Sequence, residues 1–279
     1  MFATDALLLS ALLLAAVPPA PPQAAFEAEW RDWHARRLAG LQRPQGWLAL
    51  SGLHWLKDGE NRLPELPGLF TVAGGKVTLT AAAGDGWTLG GAPVTSRVLA
   101  SDRDGKPDRI SVASRTAQVI DRGGKLALRV WDAESPVRKG FTGIDTFLPD
   151  PRWRLVARWE AYPTPRTVEV PSVVGIPTME RVPGRAWFTV DGKEYALEPT
   201  LDDDALFFVF KDKTAPRETY GAGRFLSAPL PSHGQVVLDF NRAYNPPCVF
   251  TPYATCPLPL PQNVLPIRID AGEKNWGSH

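Results

Sequence analysis

Beyond residue 25 the apolar positions first recur at helical spacing. Phe26, Trp30, Trp33, Arg37 and Leu38, and Leu41 fall at i, i+4, i+7 and i+11 to i+15, which gathers the apolar ones on one face. This predicts a packing helix over residues 26–41, ended by Gly40 and Pro44. The period then changes to short β-prone runs. GWLALSGLHWL runs into the turn Lys57-Asp58-Gly59, and FTVAGGKVTLT and DGWTLGGAPVT each fold back across a Gly-Gly pair. In KLALRVWD, Leu126, Leu128 and Val130 alternate with Ala127, Arg129 and Trp131, the two-residue period of a strand. WRLVARWEAY, RTVEVPSV, AWFTVDGKEYALEP, ALFFVFKD, QVVLDF and VLPIRIDA continue the pattern, with Asp191-Gly192 as the strongest hairpin signal. Strands at short spacing with glycine turns predict a mainly β, antiparallel fold, barrel-like or sandwich-like, behind one N-terminal helix. No βαβ rhythm appears. LPDPRW suggests a boundary near residue 150, giving a helix-plus-β region at 26–150 and a β region at 151–279 that carries a proline-rich, two-cysteine loop.

The first residues have a different character. ALLLSALLLAAV at 6–17 is apolar apart from Ser10, too short to span a bilayer comfortably, and PPAPPQAA follows it. It reads as a signal peptide over residues 1–25, although MFATD carries no basic residue. The reading implies a periplasmic or secreted protein with no membrane span in the mature chain; an uncleaved anchor is the competing reading. A net charge of +1 without Lys/Arg runs argues against nucleic-acid binding.

Chemistry concentrates near the C-terminus. Residues 219–274 hold both cysteines and a dense set of Pro, Gly and polar groups, the composition of a fixed loop. In an oxidising compartment Cys248 and Cys256 are expected to form a disulfide; reduced thiols, or a metal or reactive-thiol role, are the alternatives. No histidine has ligand-like spacing to them, and no metal or cofactor is expected. Gly221-Ala222-Gly223-Arg224 resembles part of a phosphate loop but reads as a tight turn, leaving Arg224 on a rigid support. Arg224 then either captures an anion or pairs with Asp239 or Glu273. Asp239 and Asn241 fall on one side at a strand end, either for ligand binding or for anchoring the loop. Glu273 is an acid/base or ion-pair candidate. Arg129, Arg138 and Asp145 form a second polar set, with Arg138 expected to reach towards the C-terminal block. Neither G-x-S-x-G nor H-E-x-x-H occurs. Of the ten tryptophans, most are expected in cores, with ligand stacking open for the rest.

TYGAGRFL, LDFNRAYNPPC, TCPLPLPQN and AGEK, with GWLALSGLHWL and RVWDAESPVRKGFTGIDTF upstream, resemble the DUF1684 family of unknown function over roughly residues 26–274. The resemblance implies shared architecture and no reaction. It singles out Arg129, Arg138, Tyr220, Arg224, Asp239, Asn241, Asn245, Cys248, Cys256, Asn263 and Glu273 as characteristic positions.

The leading expectation is an exported β-protein that binds a small polar or anionic ligand through Arg138, Tyr220, Arg224, Asp239, Asn241 and Asn245. A hydrolase using Asp239 or Glu273 as general acid/base, and an envelope interaction protein presenting an apolar patch at residues 249–253, are the alternatives.

Overall fold

The computed structural model describes residues 23–202 and 204–277. The expected signal segment therefore lies outside the described residues, apart from 23–25, which begin a helix. Among the described residues no helix is long and apolar enough to cross a membrane.

The N-terminal helix runs Gln23–Leu41. Phe26 and Leu41 are buried on its inner face, Leu38 packs beside Leu41, and two further side chains make polar contacts. Trp30 donates its indole N–H to the Asn241 carbonyl at 3.0 Å, and Arg37 donates to Glu273 at 2.9 Å. The helix is thus fastened to the C-terminal block by hydrogen bonds as well as by apolar burial.

The rest is mainly β. Four sheets are present among the described residues, and all their strand pairs are antiparallel. A six-stranded sheet contains Leu50–Trp55, Lys125–Asp132, Arg115–Arg122 and Arg109–Val112 in that spatial order, then two two-residue strands. A four-stranded sheet with Leu66–Ala73 and Lys76–Thr80 at its centre shares a core with it. Phe70, Leu79, Trp87, Ile110, Val119 and Leu128 fill that core. In the second half, the 17-residue strand Arg154–Val170 pairs with Thr178–Val190 on one side and Gln235–Asp239 on the other. Ala205–Phe210 pairs with Arg224–Pro229 in a three-stranded sheet. Phe188, Phe208, Phe210, Leu226, Leu238 and Phe240 form the core there. No sheet closes on itself among the described residues, so the barrel expectation is replaced by open antiparallel sheets.

The glycine hairpins form where the sequence placed them. At Gly74-Gly75 and Gly123-Gly124 both residues take positive φ, and Asp191 at φ 49° precedes Gly192 at 75°, as a two-residue primed turn requires. VLPIRIDA, expected as a strand, is not one. Its main-chain groups are divided between the backbone of residues 211–213, where the Leu265 N–H donates to Lys211 and the Ile267 carbonyl accepts from Lys213, and side chains. Arg224 binds the Ile269 and Ala271 carbonyls, and Asp212 accepts from the Ile269 N–H at 2.6 Å.

Candidate functional site

The C-terminal polar residues come together, but as a brace. Arg224 is sealed at 1% exposure. Its guanidinium reaches Asp212 at 3.2 Å and the two carbonyls just named, and it stacks 5.2 Å from the Phe210 ring. Of the two alternatives for Arg224 it makes an ion pair, but with Asp212 in place of Asp239 or Glu273. Gly223, at φ +103°, lets this strand start close to its neighbour, since a Cβ there would sit 2.6 Å from the Phe210 carbonyl.

Glu273 is fully buried. One oxygen accepts from Arg37, and the other accepts the Asn245 N–H at 2.6 Å. Asn245 is equally buried and donates its amide to the Lys274 carbonyl at 2.7 Å. Asp239 caps a short 3-10 turn by accepting from the Asn241 N–H, and takes the Asn241 side-chain amide at 3.0 Å. Burial raises its pKa, while Asn241 and Arg242 oppose the rise. Asn263 brackets Glu198 and Val209 with three main-chain hydrogen bonds. Arg224, Glu273, Asp239, Asn241 and Asn245 are all buried, and none of them lines the three main cavities among the described residues. In the 249–253 segment Val249, Phe250 and Thr251 are buried, whereas Pro252 and Tyr253 are exposed.

Cys248 and Cys256 are free thiols, so the expected disulfide is not formed. The Cys256 sulfur instead accepts the Cys248 N–H at 3.1 Å. No group of three or more His, Cys, Asp or Glu placed to hold a metal ion occurs among the described residues. Arg138 does not reach the C-terminal block. It donates to the Gln42 carbonyl at 2.7 Å and the Ala133 carbonyl at 2.8 Å, and so pins the loop that leaves the helix.

That loop closes a cavity of about 540 Å³ over the six-stranded sheet. The cavity follows from strand alternation. Leu128, Val130, Ala117, Val119 and Ile110 face the core, so the intervening residues share the other face. Strand register then aligns Arg109 with Gln118 and Gln118 with Arg129, while Trp131 lies opposite Thr116. The loop at residues 40–47 covers this row with Arg43, Gln45 and Trp47. Gln45 bridges the layers: its carbonyl accepts from Arg109 at 3.2 Å, and its amide reaches Thr116 at 3.4 Å. Arg109 also donates to Gln118 at 3.1 Å.

The charge of the lining is one-sided. It holds Arg43, Arg109 and Arg129 and no carboxylate among the described residues. Arg129 is 8% exposed, and its Nε has no hydrogen-bond partner. Among the described residues its one side-chain hydrogen bond goes to Thr255 at 3.4 Å and no carboxylate lies within ion-pair distance, the Asp102 charge acting on it only from further away. Burial, together with the nearby Arg122 charge, lowers its pKa to about 10, so it stays cationic at neutral pH. Trp47 lies under the Arg129 guanidinium at 5.4 Å, and Trp131 under that of Arg109 at 5.8 Å. The buried Trp131 indole N–H is also without a partner. A buried cation with an idle donor is expensive, and an arriving anion relieves it.

A larger cavity, of about 600 Å³, lies elsewhere. Its arginines are already matched, Arg122 to Asp102 at 2.7 Å and Arg103 to Asp121 at 3.0 Å, Glu198 pairs with Arg166 and Arg185, and the remaining charged lining residues, Glu180 and Asp202, are acidic. It makes no comparable demand for an anion.

Of the cavity's polar residues, sequence reasoning found Arg129 and missed Arg43, Gln45, Arg109 and Gln118. The available signal was the solvent-side alternation itself, Arg109-x-Ser111, Thr116-x-Gln118 and Arg129-x-Trp131. The loop is held down at Gly46, where a Cβ would lie 2.3 Å from the Leu41 carbonyl and 2.7 Å from that of Gly40. Gly46→Ala is expected to displace the loop, destabilise the protein by roughly 1–3 kcal/mol and weaken anion binding, as checked by urea unfolding and phosphate titration.

A model of the family described as "Protein of unknown function (DUF1684)" matches residues 139–274, a shorter stretch than the 26–274 over which the motifs suggested resemblance. The solution NMR structure of an uncharacterized protein of Haloarcula marismortui is 30% identical, over 49% of this chain and 78% of that one, with a TM-score of 0.42. No curated protein matches. The residues lining the arginine cavity all precede the matched segment.

Proposed function

The chain belongs to the DUF1684 family, which carries no assigned activity, and we propose that this member binds a small anion, a carboxylate or phosphate, in the cavity of Arg43, Arg109 and Arg129. One observation carries the reading: Arg129 is buried and cationic, with an idle Nε and, among the described residues, no carboxylate in ion-pair contact. Arginine presents a planar fork that suits bidentate capture of a carboxylate or phosphate. Gln45 and Gln118 hold Arg109 in place, and Arg138 holds the covering loop through Gln42. The aromatic floor of Trp47 and Trp131 favours an anion with a flat apolar body.

Ligand binding to the folded state stabilises it by mass action. Tm is therefore expected to rise with added phosphate, and further with benzoate, at constant ionic strength set with chloride. A Tm indifferent to both anions would overturn the proposal.

A further inference from the structure

The proline-rich segment brings two thiols of unequal character together. Cys248 lies on the short turn Pro247–Val249 and is half-buried, whereas Cys256 is buried. The Cys248 N–H lies 3.1 Å from the Cys256 sulfur, which sets the two thiols side by side, and the Tyr220 hydroxyl adjoins the Cys248 thiol. The hydrogen bond from Cys256 holds the Cys248 thiol below its ordinary pKa, and the same bond, with burial, pushes that of Cys256 well up. Thr255, the neighbour of Cys256, accepts from Arg129 at 3.4 Å and from Arg122 at 3.3 Å.

We propose that Cys248 and Cys256 are a reversible dithiol–disulfide site, with Cys248 attacking and Cys256 resolving, whose state reaches Arg129 through Thr255. The oxidant is a small-molecule disulfide. Cys248, as thiolate, attacks one of its sulfurs; a new S–S bond forms, the reagent's S–S bond breaks, and one thiol leaves. Cys256 then loses its proton and attacks the Cys248 sulfur, forming the protein disulfide and releasing the second thiol. Two electrons pass to the reagent, and the two protein thiol protons end on its two thiols. Once Cys248 is in the mixed disulfide, the thiolate that keeps Cys256 protonated is gone, so the second step follows from the first. Bonding draws the sulfurs to about 2.05 Å, which shifts Cys256 and with it the adjoining acceptor of Arg129. This site stands independently of whether the cavity holds an anion.

The test is incubation of the folded chain with oxidised glutathione, followed by intact mass. Wild type is expected to lose the mass of two hydrogens and regain it with dithiothreitol. Cys256→Ser is expected to trap one glutathione on Cys248, and Cys248→Ser to gain none. The Arg129 side-chain ¹⁵Nε resonance, assigned by its loss in Arg129→Lys, is expected to move on oxidation. A folded wild type that keeps both thiols under excess oxidised glutathione overturns the site, whatever the serine variants do. A disulfide that leaves the Arg129 resonance in place overturns the link.

Discussion

Arg224→Ala is expected to lower unfolding free energy by about 3–5 kcal/mol, the range for removing one partner of a buried ion pair. The loss has two parts. Asp212, buried with Arg224, is left as an uncompensated charge. The Ala271 carbonyl loses its side-chain donor, and the Ile269 carbonyl keeps only the Ala271 N–H. At roughly 2–4 °C per kcal/mol, Tm should fall by about 10 °C, seen in thermal unfolding followed by circular dichroism. Lysine at this position keeps the charge but not the fork that serves Asp212 and two carbonyls together, so it should rescue only part of the loss. Removing Asp212 as well should cost less than the sum of the single changes, because the two side chains form one network. Arg224 braces the fold, and its loss should be read in stability.

Arg129→Met is expected to act in the opposite way. Arg129 has one weak hydrogen bond, to Thr255, and an aromatic floor, with no ion pair. A side chain of similar reach without the charge removes a desolvated cation, so Tm should hold or rise. Affinity for phosphate should fall roughly 10- to 150-fold, the equivalent of about 1.5–3 kcal/mol for hydrogen bonds to a charged group. The two substitutions should thus separate: loss of the sealed, paired arginine should be read in stability, and loss of the buried, unpaired one in anion affinity.

Features set by neighbouring residues were legible in the sequence. The Gly-Gly and Asp-Gly hairpins needed only the two turn residues, and the N-terminal helix only its own spacing. Asp239 and Asn241 also sit together as their spacing implied, since a side chain reaches the amide two residues on. Whatever depended on register between distant strands was not legible. Arg109, Gln118 and Arg129 become neighbours only through the pairing of three strands, and Gln45 joins them only because Gly46 lets the loop fold onto the helix end. VLPIRIDA had the composition of a strand, yet Arg224 and Asp212 satisfy main-chain groups that a partner strand would otherwise take. The dense C-terminal block drew attention because it is rich in charges. In three dimensions those charges mostly neutralise one another, and the imbalance lies in the other half of the chain.

The most direct measurement is an isothermal titration of phosphate and benzoate into wild type and Arg129→Met, side by side at one ionic strength. Saturable one-to-one binding to wild type, reduced at least tenfold in a variant whose Tm is undiminished, is the predicted result. Equal binding to both proteins, or to neither, would contradict an anion site at Arg129.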